Sequence, residues 1–338
     1  MRQVTIKDIA KETGLSIATV SYVLNGKDNV LQETKQKVLD AAQQLGYVRN
    51  YSARSLVMNA SNLIGVVIPQ TEPGKVMVFE NPFYSEMLSS IEYHARQIGY
   101  HMIVSGTDMD ERYFQLAKER NLDGIIIIGV YSDAFYSGLE TARIPIVLID
   151  SYIEDRPFSS VRINDEESSF EAVSYLIQKG HRDIAFISGK LKDGGVCEKR
   201  YMGYLKALEQ AGIALKKENI LTGNTDFDSG MLLAERMLLN TKVSAVFCSA
   251  DIVALGVIKK LTEKKVRIPD EISVVGFDNL SIAKYCTPGL TTVGQDVFEK
   301  GRVAVELIEK GIKHKEEAKQ IILNTKIVER ESVSIKQT

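Results

Sequence analysis

Apolar residues follow two rhythms along this chain: helical spacing through the first 45 positions, then short apolar runs alternating with helical stretches. Thr5 with Asp8 has capping-box spacing, and Ile6, Ile9, Ala10 and Thr13 share a helical face until Gly14 stops it. Ser16, a favoured N-cap, precedes Ile17 to Leu24, where Val20, Val23 and Leu24 form the apolar side and Asn25-Gly26 the end. A third helix is expected from Gln32 to Leu45, with Val38, Leu39, Ala42 and Leu45 turned inward and Gly46 as its stop.

From Leu63 the pattern changes. Strand-like runs at Leu63–Pro69, His101–Ser105, Gly124–Ile128 and Pro145–Asp150 alternate with helical segments near Tyr84–Gln97 and Glu111–Arg120. The alternation repeats with helices near Glu166–Lys179, Arg200–Ala211 and Asp251–Lys264 and strands at Asp183–Ser188, Ser244–Cys248 and Ser273–Phe277. Such alternation predicts two doubly wound α/β lobes with parallel sheets covered on both faces. Ligands of open α/β sheets sit beyond the carboxyl ends of the strands, which singles out Asp150, Asp278 and Gln295. Carboxylates and amides converging there suit a hydroxyl-rich ligand, although an Asp ending a strand also serves as a helix cap.

Between the two patterns, Asn50 to Met58 is helix-capable but spans only about two turns, too short to hold a helix unaided in water. It reads either as a plain linker or, given apolar Leu56 and Val57, as a segment ordered by a partner. The expected organisation is a headpiece over 1–49, a hinge over 50–60 and a two-lobed domain over 61–338.

Composition narrows the class. The overall charge of −2 divides unevenly: through residue 60 eight Lys/Arg face five Asp/Glu, leaving +3, and the remaining 34 against 39 leave −5. A basic head on an acidic body permits contact with nucleic acid. Cys197, Cys248 and Cys286 are odd in number and lack metal or disulfide spacing, which points to a reducing, cytoplasmic setting. No signal-peptide h-region and no run of 18 apolar residues is visible, so neither secretion nor a membrane partner is expected. The four histidines are scattered, and no P-loop, G-x-S-x-G or G-x-G-x-x-G stands between a strand and a helix. No enzyme, metal or cofactor is therefore expected. The Gly189–Gly195 stretch lacks P-loop spacing and reads as a cleft loop.

Three short helices with a glycine turn between the first two match a helix-turn-helix, which lays its second helix in a DNA major groove. Its outward side carries Ile17, Ala18, Ser21 and Tyr22, while Thr5, Ser16, Thr19, Asn25 and Thr34 are small hydrogen-bonding residues suited to phosphates. A plain three-helix bundle with capping hydroxyls fits the same spacing. The runs Val4–Ala10, Ser16–Gly26 and Leu45–Asn50, however, resemble the LacI family of bacterial repressors, and the similarity continues nearly to the C-terminus. The resemblance implies that Ile17, Ala18 and Tyr22 read bases and that Thr5, Ser16, Thr19, Ser21, Asn25, Tyr47 and Asn50 make groove or backbone contacts. It also implies a hinge helix whose Leu56 wedges open a minor-groove base step, with Arg54 beside it. The family usually has Arg at position 22; Tyr22 offers one hydrogen bond or packs on a thymine methyl, so the operator sequence is not fixed by the likeness.

The body resembles the family's periplasmic-binding-protein-like (type I) sensor. That likeness places Arg200 at the ligand-clamping arginine, Asp278 at the ligand-binding aspartate, Asp150 and Gln295 at polar pocket positions, and Phe83 at the mouth. Ala250 stands where Asn is frequent and Thr225 where an aromatic is frequent. The expected activity is sequence-specific transcriptional regulation, most simply repression, by a homodimer on operator DNA under a small-molecule effector, a sugar in the first instance. The tetramer-forming tail of some relatives is not expected. Two alternatives remain: a catabolite-type regulator with a phosphorylated carrier protein as corepressor, and a soluble sugar-binding protein.

Overall fold

Three helices build the described part of the N-terminal segment: α1 (Ile6–Thr13), α2 (Ile17–Leu24) and α3 (Gln32–Gln44). The computed structural model describes residues 4–24, 30–47, 60–69, 81–107, 121–131, 133–140, 144–153, 155–314 and 317–336. These fall into two compact units, one ending at Ser61 and one starting at Asn62. The hinge and the helix expected near Glu111–Arg120 lie outside the described residues.

Each headpiece helix starts and stops on side-chain chemistry. Asp8 accepts from the Thr5 amide at 2.8 Å and the Thr5 hydroxyl at 2.7 Å, fixing the first turn. Gly14 closes α1 in the left-handed region at φ 70°, where a Cβ is disfavoured, and the Thr19 amide donates to Ser16 Oγ at 3.0 Å to open α2. Ile9, Val20 and Val38 are fully buried in the shared core. The expected inward face of α3 needs one correction. Leu39 is 46% exposed, and Ala41 packs inward with Val38 and Ala42. Residue 39 lies roughly 100° round the helix from Val38, beyond the narrow stripe that two neighbouring helices can cover.

The second unit is two α/β lobes. The first contains β1 (Leu63–Pro69), α4 (Pro82–Gln97), β2 (His101–Thr107), β3 (Gly124–Ile128), α5 (Asp133–Glu140), β4 (Ile146–Ile149) and β5 (Ser159–Ile163). The second contains α6 (Asp165–Gln178), β6 (Ile184–Gly189), α7 (Val196–Gln210), β7 (Ile220–Gly223), α8 (Phe227–Asn240), β8 (Ala245–Cys248), α9 (Asp251–Glu263), β9 (Ser273–Asp278) and β10 (Thr291–Gln295). Helix α10 (Val297–His314) then packs against α4, β4 and β5 of the first lobe, and β11 (Gln320–Leu323) and β12 (Thr325–Val328) complete one sheet each.

Strand order is β11-β5-β4-β3-β1-β2 in one sheet and β12-β10-β9-β8-β6-β7 in the other. Strand residues alternate between two cores, as a period of two requires. Ile126 and Ile128 face α4 and α10 while Ile125 and Ile127 face the α5 side; Phe247 faces α6 and α7 while Val246 and Cys248 face α8 and α9. Helix α7 starts four residues before the expected Arg200, because Gly195 at its N-cap ends the preceding loop.

The chain crosses between lobes three times: from β5 into α6, from β10 into α10, and from β11 into β12 through Asn324 alone. The sheets are parallel as expected except for one edge strand. Strand β11 runs parallel to β5, leaves at the carboxyl end of its sheet and enters the second sheet from the same side, so β12 lies antiparallel to β10. Among the described residues no helix is long and apolar enough to cross a membrane.

Helices α8 and α9 come into backbone contact at Gly230 and Gly256. A Cβ on Gly256 would lie 2.1 Å from the Phe227 carbonyl oxygen, and one on Gly230 would lie 2.3 Å from that of Val253. Helix propensity alone favours Gly256→Ala by about 1 kcal/mol. The backbone clash outweighs it, and the variant is expected to lose about 1–3 kcal/mol in urea unfolding; equal or higher stability would contradict the close crossing.

Candidate functional site

Strand β4 ends at Ile149 and β9 at Asp278, and both lead into irregular backbone. Asp150 has φ 56° and Asp278 φ 115°, conformations that non-glycine residues adopt at a cost when the surroundings demand them. What holds them is a hydrogen-bonded chain across the two lobes. Lys300 Nζ, in the first turns of α10, donates to Asp150 Oδ1 at 2.6 Å and to Gln295 Oε1. Gln295 Nε2 donates to Asp278 Oδ1 at 2.7 Å, and Arg200 Nη1 approaches the same oxygen at 3.4 Å.

Arg200 is anchored through Nε, Nη1 and one face of its guanidinium. Its Nε donates to Asp165 Oδ1 at 2.7 Å, its Nη1 to the Ser249 carbonyl at 2.5 Å, and its guanidinium carbon lies 3.6 Å from the centre of the Phe277 ring. Tyr152 donates to Asp165 Oδ2 at 2.6 Å and accepts the Asp165 amide at 3.1 Å, joining the loop after β4 to the start of α6. Three of the participants, Asp165, Gln295 and Lys300, stand at the first two lobe crossings. At the third crossing Ser168 Oγ lies 2.8 Å from Thr325 Oγ1.

Burial and pairing compete throughout. Burial raises the Asp150 carboxyl above its ordinary value although Lys300 pulls it down. Burial likewise pushes Asp278 from 3.8 up to about 6, opposed by Arg200 and the Gln295 amide. Burial works against the Arg200 charge, but Asp165 and Asp278 outweigh it and hold the guanidinium above its usual value. Burial and the Asp165 carboxylate raise the Tyr152 phenol.

Of the seven expected effector residues, Asp150, Arg200, Asp278 and Gln295 share this network. Phe83 is half-buried near the start of α4, edge-on to Tyr84. Thr225 precedes α8, its hydroxyl 2.1 Å from where a Gly189 Cβ would stand. Ala250 is buried in the apolar core under α9, next to Ser249, whose carbonyl accepts from Arg200. Lys300, Asp165 and Tyr152 were not anticipated. Their signal was weak because β5 and α10 were not recognised, so Asp165 was not seen to follow a strand, nor Lys300 to lie one turn into a helix.

In the headpiece, Ile17 (51% exposed), Ala18 and Tyr22 (48%) lie on the outer side of α2, with Ser21 and Thr19 half-buried at its margins. Ser16 Oγ also lies 2.8 Å from Thr19 Oγ1. Thr5 is exposed, Thr34 half-buried in the first turn of α3, and Tyr47 half-buried against the core. Asn25, Asn50, Arg54 and Leu56 lie outside the described residues.

A helix-turn-helix with an outward apolar and hydroxyl face, followed by a two-lobed body whose lobes meet at a buried polar network, defines the class of ligand-responsive DNA-binding regulators. Residues 5–50 match the family model for bacterial regulatory proteins of the lacI family, and 173–333 match that for a periplasmic binding protein-like domain. The chain belongs to the LacI family of bacterial transcription regulators. It is 34% identical to the HTH-type transcriptional repressor PurR of Vibrio atlanticus over 97% of this chain and 98% of that one. Among solved structures, the lac repressor dimer bound to operator and the anti-inducer ONPF matches with TM-score 0.86 at 26% identity, covering 98% of this chain and 100% of that one. A complex of the transcriptional regulator CelR with cellobiose matches with TM-score 0.73 at 26% identity and the same coverage.

The raised Asp278 carboxyl makes a signed prediction. The folded state holds this proton more tightly than the unfolded chain, so the group's contribution is fully present below 3.8 and is lost as pH rises through about 6. Asp278→Asn is expected to remove that component, of order 1–3 kcal/mol. Urea unfolding across the window checks it: identical pH slopes in the two proteins would refute the assignment.

Proposed function

We propose that this chain is a cytoplasmic, sequence-specific transcriptional repressor that binds a pseudo-palindromic operator as a homodimer and responds to a small-molecule effector, a sugar, held between its lobes. The observation that carries the effector reading is the network joining Asp150 of one lobe to Arg200, Asp278 and Gln295 at the other. Side chains from both lobes that meet through hydrogen bonds feel any ligand that enters, so lobe closure and ligand occupancy are linked. The complex of CelR with cellobiose supports a sugar as effector. Nothing in the proposed action needs chemistry on the effector; the protein acts by binding.

On the DNA side, the outward set Ile17, Ala18 and Tyr22 meets base edges, with Ser21 beside it. Thr5, Ser16, Thr19, Asn25, Thr34, Tyr47 and Asn50 hold groove walls and phosphates. In the hinge, Arg54 adds a phosphate contact and Leu56 the minor-groove wedge. The lac repressor dimer bound to operator supports dimeric DNA binding by this architecture. The proposed boundaries are a headpiece over 1–49, a hinge over 50–60 and an effector and dimerisation domain over 61–338.

Binding to a duplex from the native promoter, followed by fluorescence anisotropy, is expected to weaken with salt by about 0.9 log units per log unit for each neutralised phosphate. Tyr22→Ala is expected to cost about 1–3 kcal/mol on the preferred duplex and much less on random DNA. Equal losses on both would remove Tyr22 from base reading, and a salt-insensitive interaction would remove the repressor reading.

A second prediction separates sensor from head. Asp278→Ala is expected to abolish the response to cellobiose, if that sugar is the effector, or to whichever sugar releases the wild-type protein, with the salt-dependent DNA affinity unchanged. A variant that still responds fully would take Asp278 out of the effector site.

A further inference from the structure

Lys300 is a lysine with no solvent exposure, set among apolar neighbours on α10 such as Val297, Val303 and Ala304. A buried ammonium is tolerated only when paired and hydrogen-bonded, and Lys300 has both in Asp150 and Gln295. The network sorts into two rows by exposure. Lys300 and Asp165 side chains are 0% exposed, whereas Asp150 retains 9%, Asp278 7% and Arg200 6%. What faces a ligand is therefore one carboxylate from each lobe and one guanidinium, each backed by a fully enclosed partner or by Gln295.

We propose that Lys300 is a positioning residue that keeps Asp150 charged and aimed into the cleft, and that the effector is an uncharged polyhydroxylated molecule, not an acidic or phosphorylated sugar. The proposal rests on the effector-cleft reading given above. It follows from charge and from hydrogen-bond capacity. With all five ionised, the three carboxylates Asp150, Asp165 and Asp278 against the two cations Lys300 and Arg200 give the cluster one net negative charge. A ligand anion would lie against Asp150 and Asp278 where water screening is weak.

The open valences agree. Among the described residues, Asp150 and Asp278 each use one carboxylate oxygen, Oδ1, and Arg200 donates through Nε and Nη1. Two acceptor oxygens and a guanidinium Nη2 then point to groups that both donate and accept. A hydroxyl does both, while a carboxylate or phosphate only accepts and leaves the two aspartates facing it unsatisfied. Lys300 makes this possible by counteracting the burial that drives Asp150 toward protonation; the other charges acting on Asp150 are Asp165, which opposes ionisation, and Arg200, which favours it.

The test uses the full chain and calorimetry. The probes are cellobiose, D-galactose and D-ribose, with D-galacturonate and D-glucose 6-phosphate as acidic counterparts, at pH values from about 7 to about 8.5, above the Asp278 titration. At least one neutral sugar is expected to bind with a flat pH profile, and each acidic probe at least about tenfold more weakly. Lys300→Met is expected to weaken the neutral sugar by about tenfold or more and to make its affinity depend on pH. Adding Asp150→Asn to Lys300→Met is expected to flatten the profile again without restoring affinity. An acidic probe that binds as well as a neutral one, or a Lys300→Met protein with wild-type affinity and profile, overturns this inference while leaving the cleft reading intact. Binding of no probe overturns both. Should Lys300→Met fail to fold alone, the double variant, which buries neither charge, carries the test, and wild-type affinity in it overturns the role of Lys300.

Discussion

Two cations and three carboxylates are buried at the junction of two lobes; each lobe pairs its own charges, and hydrogen bonds from Lys300 to Gln295 and from Tyr152 to Asp165 tie the two sets together. Lys300 sits on a helix of the first lobe yet hydrogen-bonds Gln295 at the end of a strand of the second, while Tyr152 of the first reaches Asp165 of the second. Removing one partner from such a set costs far more than the intact pair contributes, because the remaining charge is left without water or counter-ion. The apposition of the lobes is therefore tied to electrostatics at the cleft, which makes the same atoms responsible for shape and for sensitivity to what enters.

Sheet topology explains why the charges collect there. All three crossings leave one sheet at its carboxyl end and enter the other from the same side, so the strand ends, where backbone is irregular and ligands gather, are also the hinges. Asp165 follows β5 by two residues, and Lys300 follows β10 by five. The enclosed partners Asp165 and Lys300, which back the cleft-facing side chains, therefore stand within five residues of the crossings between lobes.

The sequence disclosed the rhythm of the fold and half of the site. Helical spacing with glycine stops was enough for the headpiece, and uniformly apolar runs such as Gly124–Ile128 marked central strands. Of the four edge strands only β2 shows in the sequence; β7, β11 and β12 do not. Strand β12 holds Thr325 and Lys326, and β7 is only partly buried, so neither has the apolar signature of a covered strand. Strand β5 carries Arg162, and without it the carboxylate of Asp165 looks like one of several acids opening a helix. Lys300 was illegible for a related reason: in a list of residues a lysine signals solvent, and only tertiary context reveals one enclosed by Asp150 and Gln295. Leu39 failed in the opposite direction, an apolar residue left outside because three short helices cannot cover a wide stripe.

Strands β11 and β12, separated by one residue, complete both sheets with chain that is synthesised after every other strand described. During translation the first five strands of the opening lobe emerge long before the strand that closes its edge, and the second lobe likewise waits for β12. Helix α10, which covers one face of the first lobe, is also late. Neither lobe can complete its sheet before β11 and β12 have been made. Each keeps an open sheet edge until its last strand is made, so the interval between β5 and β11, and between β10 and β12, is when strand edges are available for misassembly.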